Sequence, residues 1–254
     1  MKLAISKIQK QVGLLIIGDE ILSGKTKDDN IHSIASALFA HGAKLTAVCV
    51  VPDNKIFIIK HLKALLKDND FVITTGGIGP THDDITAAAV AEALSLPLVI
   101  DKTADTLLSA HYAKTGVVYN DERKKMAMVP KGAKLLPNPI SLAPGFFVKR
   151  IFVMAGVPRI MKEMLQTALR FIPEGPKWWQ DEVATILGEG AYAKGITAIQ
   201  KKYPKVMIGS YPKFDQTSQK LWALLTLKSL DKKNGIACKK QVEILLKQLE
   251  KNQL

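Results

Sequence analysis

Apolar residues follow two rhythms along the first two-thirds of this chain. Short continuous apolar runs alternate with longer stretches in which apolar positions recur every three or four residues, the pattern of a parallel sheet covered by helices on both faces. The runs Val12 to Ile17, Lys44 to Val51, Phe71 to Thr75 and Arg150 to Met154 predict strands. The helical spacings predict helices from about Asn30 to His41, Lys55 to Lys67, Ile85 to Ala93 and Arg159 to Phe171, the first ended by Gly42. Between Ala93 and Arg150 the pattern is irregular, with helical spacing only at Asp105 to His111 and around Glu122 to Met128.

Two prolines and a glycine in Ile172-Pro173-Glu174-Gly175-Pro176 break the periodicity and predict a boundary, giving a first domain of residues 1–172 and a second of 173–254. In the second, strands are expected at Val183 to Leu187, Val206 to Ser210 and Leu221 to Leu227, with helices at Ala191 to Lys202 and Ile236 to Leu249. The expected fold class is therefore α/β: a three-layer, open, mostly parallel sheet with helices on both faces, followed by a small α/β domain.

Composition narrows the class. The chain has 254 residues, 47% of them hydrophobic, enough for a real core, and no run approaches the about 18 apolar residues of a membrane span. Cys49 and Cys238 lie far apart without metal-ligand spacing, and the lysine-interrupted start MKLAISKIQKQVG is no secretory signal, so a cytoplasmic location is expected. A net charge of +13 suits polyanions in general, but the lysines are scattered and often paired with acids. With only 6% aromatic residues to stack bases, nucleic acid is not the expected partner, and no membrane is expected either.

Ligands of open parallel sheets bind beyond the carboxyl ends of the strands, so the site is to be sought among the residues just after each strand. The strands run into Gly18-Asp19-Glu20, Pro52-Asp53-Asn54, Gly76-Gly77-Ile78-Gly79-Pro80-Thr81-His82-Asp83-Asp84 and Ala155-Gly156-Val157-Pro158-Arg159. The first of these, IGDEILSGKT, nearly reads as a P-loop. Gly18 and Gly24 enclose five residues where a P-loop has four, and two carboxylates would sit where the phosphate belongs. The glycine-rich TTGGIGPTHDD is the better phosphate cradle, since Gly76, Gly77 and Gly79 leave backbone N–H groups uncovered ahead of a helix start. The bland alternative is a tight turn in which Asp83 and Asp84 cap that helix. Asp19, Glu20, Asp53, Asp83 and Asp84 would crowd the same rim, and a divalent cation with oxygen ligands would relieve their repulsion. His82 could be a ligand, a general base or a surface residue.

Together, GDEILSG, Asp28 and Asn30, VPD, TTGGIGPTHDD, NPISLAPGF and AGVPRIM resemble the molybdopterin-binding fold family of molybdenum cofactor biosynthesis proteins. The match is closest to its CinA-like (competence/damage-inducible protein) branch and to the similar domain attached to eukaryotic FAD synthase, and it is dense over residues 12–172. The C-terminal unit, with GSYPKF at Gly209 to Phe214, resembles the KH-like or ferredoxin-like domain found after this module in CinA-like proteins, although no Gly-x-x-Gly clamp is present. The CinA-like branch implies metal-dependent hydrolysis of a nucleotide diphosphate such as ADP-ribose or FAD, using magnesium, manganese or cobalt. Asp83 speaks for that branch, because the adenylyltransferases of the family commonly carry arginine there. On that reading Asp19, Glu20, Asp83 and Asp84 hold metal, while Asp53, Asp84 and His82 are catalytic. Gly76, Gly77, Gly79, Thr81, Asn30, Asn138, Gly145 and Phe146 bind phosphate or substrate. The alternative the resemblance leaves open is a molybdopterin-binding or adenylyltransferase-like protein with molybdopterin as ligand. The family also implies a homo-oligomer.

Overall fold

The computed structural model describes residues 9–215 and 220–251. It divides after Gly175 into two compact units. In the first unit the elements run β1 (Gln11–Ile17), α1 (Asp19–Leu22), α2 (Asn30–His41), β2 (Lys44–Val51), α3 (Lys55–Asp68), β3 (Phe71–Thr75), α4 (Thr86–Ala93), β4 (Leu98–Ile100), α5 (Lys102–Thr115), α6 (Asp121–Lys124), β5 (Met128–Pro130), β6 (Lys134–Leu136), β7 (Gly145–Val148), β8 (Ile151–Met154) and α7 (Pro158–Leu169).

Six strands form one sheet in the order β2-β1-β3-β8-β7-β6. Pairing is parallel from β2 through β8 and antiparallel from β8 to β6, so the sheet is mostly parallel with an antiparallel margin. Side-chain alternation along β1 assigns the two faces. Val12, Leu14 and Ile16 point into a core with Ile34 and Leu38 of α2 and Met161, Met164 and Leu165 of α7. Leu15 and Ile17 point the other way, onto Ile58 and Leu62 of α3 and Ala89 and Val90 of α4. Because both faces are covered, β1 reads as an unbroken apolar run rather than an alternating one.

The irregular middle of the chain departs from the sequence reading. Helical spacing around Glu122 to Met128 resolves into the four-residue α6, a short 3-10 turn at Lys125–Ala127 and the strand β5, which pairs with β4 apart from the main sheet. Strands β4 to β7 have three or four residues each, too short for a period to declare itself. Asp101 caps α5 through Thr103 and Ala104 N–H, and Ala104, Leu108 and Ala127 form a small separate core there.

The second unit comprises β9 (Trp179–Thr185), α8 (Glu189–Lys202), β10 (Val206–Asp215), β11 (Lys220–Ser229) and α9 (Lys232–Lys251). Its antiparallel sheet has the order β10-β11-β9, with Ala223, Leu225 and Leu227 of β11 buried against Tyr192, Cys238, Val242 and Leu246. Gly209 to Phe214 lie on β10, an outer strand of that sheet. Both cysteines are free thiols, and no helix among the described residues is long and apolar enough to cross a membrane.

A close backbone approach constrains the first unit at the end of β3. Gly76 has φ +100°, and a Cβ there would lie 2.1 Å from the Ile17 carbonyl oxygen. Gly24 also has positive φ (+72°) but open space around it. Gly76→Ala should therefore cost at least about 2 kcal/mol, from strain plus collision, and Gly24→Ala only about 1 kcal/mol, from strain alone. Urea denaturation of the two variants measures the difference, and equal losses would mean that the close approach at Gly76 does not constrain the fold.

Candidate functional site

The carboxyl ends of β1, β2, β3 and β8 open onto a cavity of about 640 Å³ within the first unit. The glycine-rich loop forms its floor. Gly76 N–H donates to the Met154 carbonyl (3.1 Å), and a Cβ on Gly156 would come within 3.3 Å of the Gly76 Cα, so the ends of β3 and β8 nearly touch. Gly77 has φ +67°, and a Cβ there would sit 2.3 Å from Thr86 Oγ1. That hydroxyl donates to the Gly76 carbonyl at 2.9 Å, while Thr86 N–H donates to the Gly77 carbonyl at 3.0 Å. The loop is thus drawn onto the first turn of α4 by its carbonyls.

Asp83 and Asp84 do not cap α4: the residue before the helix is Ile85, and no side chain accepts from the first turn. Asp84 instead closes the loop on itself. Its Oδ2 accepts from Thr81 N–H at 2.8 Å and from Thr81 Oγ1 at 2.5 Å. Lys125 ties the loop from outside, donating to the Thr81 carbonyl at 2.8 Å. Asp83 is held below the usual carboxylate range by hydrogen bonding at Thr81 and by its own backbone N–H, with the charge of Lys125 adding.

Asp53 faces the loop from the end of β2. Its Oδ2 accepts from Asp19 N–H at 2.9 Å. Partial burial pushes its pKa above the ordinary 3.8, and the negative charges of Asp19, Glu20 and Asp83 push the same way. The Asp19 N–H that a P-loop would offer to phosphate is therefore engaged by a carboxylate. The stretch IGDEILSGKT is an acidic strand-end turn built around the four-residue α1, not a phosphate cradle.

Of the residues singled out from sequence, Glu20, Asp53, Gly76, Gly77, Gly79, Asp83, Asp84 and Asn138 line the cavity. Asn138 holds its wall together, accepting from Ile140 and Ser141 N–H and donating to Ser141 Oγ and the Ala143 carbonyl. Asn30 lines an adjoining recess. Asp19 acts on the site through charge and backbone, whereas Thr81 sits behind the loop, engaged with Asp84. His82 points away, its side chain 98% exposed and its Nδ1 3.9 Å from Asp83. Gly145 belongs to the core rather than to the cavity wall, while Phe146, almost wholly buried, also lines a small recess with Gly77, Gly79 and Asp84. A Cβ on Gly145 would meet the Val153 carbonyl oxygen at 2.4 Å, and Phe146 is buried between sheet and helices. Sequence reasoning missed Tyr112, Met126, Ser141 and Ala143, which form the far wall and come from the irregular middle of the chain. Tyr112 stacks on Tyr119 at 5.6 Å between ring centroids, and Arg123 lies over its ring at 5.0 Å.

The acids converge without forming a cage: among the described residues, no three His, Cys, Asp or Glu side chains gather closely enough to hold an ion by themselves. Their chemistry nonetheless fits a hard divalent ion. Magnesium in particular is commonly bound through one or two carboxylates, with water and ligand phosphate completing the shell.

Comparison with known proteins agrees with this architecture. Residues 13–174 match the family described as "Probable molybdopterin binding domain", and residues 177–252 match "FAD synthase, middle domain". A protein from Caldivirga maquilingensis is 35% identical over 79% of this chain and 80% of its own length. A CinA-like protein from Thermomicrobium roseum is 38% identical over 63% of this chain, which spans only 41% of that relative. The crystal structure of a CinA protein of unknown function from Thermoplasma acidophilum superposes with a TM-score of 0.60 at 30% identity, covering 65% of this chain and 98% of that one. With a six-stranded, mostly parallel sheet, a glycine loop facing an acidic rim and a family match across nearly the whole first unit, the chain belongs to the molybdopterin-binding domain family, in its CinA-like branch.

Proposed function

We propose that this chain hydrolyses the diphosphate linkage of a nucleotide such as ADP-ribose or FAD, with the help of a divalent metal ion. The observation that carries the reading is the meeting of Asp53, Glu20, Asp83 and Asp84 with the glycine loop on one cavity, with Asp53 under repulsion from its acidic neighbours. Like charges gathered opposite a phosphate cradle lower their energy when a cation and an anionic ligand arrive together.

In this mechanism the loop from Gly76 to Gly79 receives the diphosphate. One or two of the carboxylates Glu20, Asp83 and Asp84 would hold the ion, with water and the ligand's phosphate completing its shell. Magnesium, manganese or cobalt bound there supplies charge neutralisation on the phosphate oxygens. Asp53 orients a water and takes its proton as the water oxygen adds to phosphorus and the bridging P–O bond breaks, leaving two monophosphates. A carboxylate with a raised pKa is the stronger base, which favours Asp53 over Asp83 for that role. The part of the cavity walled by the apolar side chains of Met126 and Ile160 and the ring of Tyr112 takes the flat heterocycle.

The family match favours a second reading, in which the same cavity holds molybdopterin without hydrolysis or as an adenylyl acceptor. Incubation with ADP-ribose and FAD in each metal, with AMP followed by chromatography, separates the two. AMP that appears only with metal supports hydrolysis; no AMP from either substrate, together with tight retention of pterin, supports the second reading.

Asp53→Asn should lower turnover by at least about 10²-fold while keeping the hydrogen bond from Asp19 N–H. The same variant tests the electrostatics. A raised folded-state pKa means that the folded chain holds its proton more tightly than the unfolded chain, so stability falls as pH rises from 3.8 through the raised value. Asp53→Asn escapes that loss. Its Tm should exceed that of the parent chain at neutral pH, and the gap should close on acidification below 3.8. A variant less stable at neutral pH would show that burial and the neighbouring acids together place no net penalty on the Asp53 charge.

A further inference from the structure

Beside the main cavity lies a recess of about 60 Å³ at the ends of β1 and β3. It shares Ile17, Glu20, Thr26, Gly156 and Pro158 with the cavity, so the two adjoin. Two of its lining side chains are almost wholly buried and carry polar atoms without a protein partner. Asn30 is 4% exposed and Thr75 is 1% exposed, and among the described residues neither Asn30 Oδ1 nor Thr75 Oγ1 has a hydrogen-bond partner.

The orientation of Asn30 is fixed by its other end. Its Nδ2 donates to the Gly156 carbonyl at 2.7 Å, and a carbonyl can only accept, so the amide nitrogen must face it. Oδ1 is therefore an acceptor turned from Gly156. Around the recess stand three carboxylates, Glu20, Asp28 and Asp29, against one cation, Lys27. An acceptor-rich, net negative recess repels phosphate and asks for a ligand that brings hydrogen-bond donors. Its volume admits a few water-sized groups and no purine or pterin ring. Leaving two buried polar atoms without partners costs the ligand-free chain stability, a cost that binding of a donor would remove.

We propose that this recess is a hydroxyl-binding subsite that takes the ribose hydroxyls of a nucleotide ligand whose phosphates lie on the glycine loop. The proposal rests on the nucleotide reading and adds to it a discrimination between ribose and deoxyribose. Thr75 and Asn30 set that preference, Thr75 through a hydroxyl able to accept or donate, and Asn30 through an acceptor of fixed direction.

The test is titration calorimetry of the full chain with ADP, 2′-deoxy-ADP and 3′-deoxy-ADP in magnesium. The parent chain should bind ADP at least about tenfold more tightly than one of the deoxy analogues. Thr75→Val removes only a hydroxyl that has no protein partner, so the variant should fold with unchanged or raised Tm and lose that preference. Asn30→Ala, which also gives up the bond to Gly156, should lose it too. Loss of the preference in either folded variant upholds the proposal. Equal binding of all three nucleotides by the parent chain overturns the subsite and leaves the nucleotide reading standing, and survival of the preference in both variants overturns it in the same way. Binding of none of the three defeats both.

Discussion

The approach of Gly76 to the Ile17 carbonyl and of Gly156 to Gly76 is the constraint on which the rest of the site depends. Three parallel strands can end at one level only if their exits do not collide, and side chains at these positions would force them apart. Because they do not, the loop after β3 drops onto α4 while the turn after β1 stays close enough to β2 for Gly18 N–H to reach the Val51 carbonyl at 3.1 Å. That packing puts backbone N–H groups and carboxylates on one rim. Stability and site geometry therefore depend on the same few atoms.

Placing several acids on one rim has an electrostatic consequence. The structure separates their environments rather than making them equivalent: Asp84 is bound into its own loop, Asp83 is exposed and held low, and Asp53 is partly buried and held high. Carboxylates that differ in this way can take different roles, which is the condition for acid–base chemistry in a crowded site. Lys125 contributes by bracing the loop through the Thr81 carbonyl, and no spacing along the sequence would have nominated it.

The parallel core was legible because β1, β2, β3 and β8 are apolar runs, and α2 and α3 between them and α7 after β8 each have twelve residues or more, long enough for their period to show. The glycine loop and the acidic strand ends were legible for a different reason: a ligand site on such a sheet has to lie just past the strands. What could not be read was the far wall. Tyr112 lies on α5 and Met126, Ser141 and Ala143 in short turns of the irregular stretch, and tertiary packing alone brings them together. Gly145 misleads for a related cause. A Gly-Phe pair after a proline looks like a ligand loop in sequence, yet here the glycine is needed so that β7 can pass the Val153 carbonyl. His82 likewise sits in the best motif of the chain and faces solvent, because the loop turns its glycines and acids, not every residue, toward the cavity.

The near miss between IGDEILSGKT and a P-loop is physical as well as textual. A P-loop keeps N–H groups at a helix start free for an anion, whereas here the Asp19 N–H binds Asp53 and α1 is only four residues long. The helix start has been given to a carboxylate, and the uncovered N–H groups lie one strand over, in a loop whose own carbonyls are turned onto Thr86. Dividing the work between strands lets one sheet edge attract opposite charges at neighbouring positions. A single loop cannot do so, because N–H groups that hold an internal carboxylate are not available to hold a phosphate. On the proposed reading the acidic turn and the glycine loop act as one site only when a cation and an anion are bound together, and either partner alone should meet a half-matched surface.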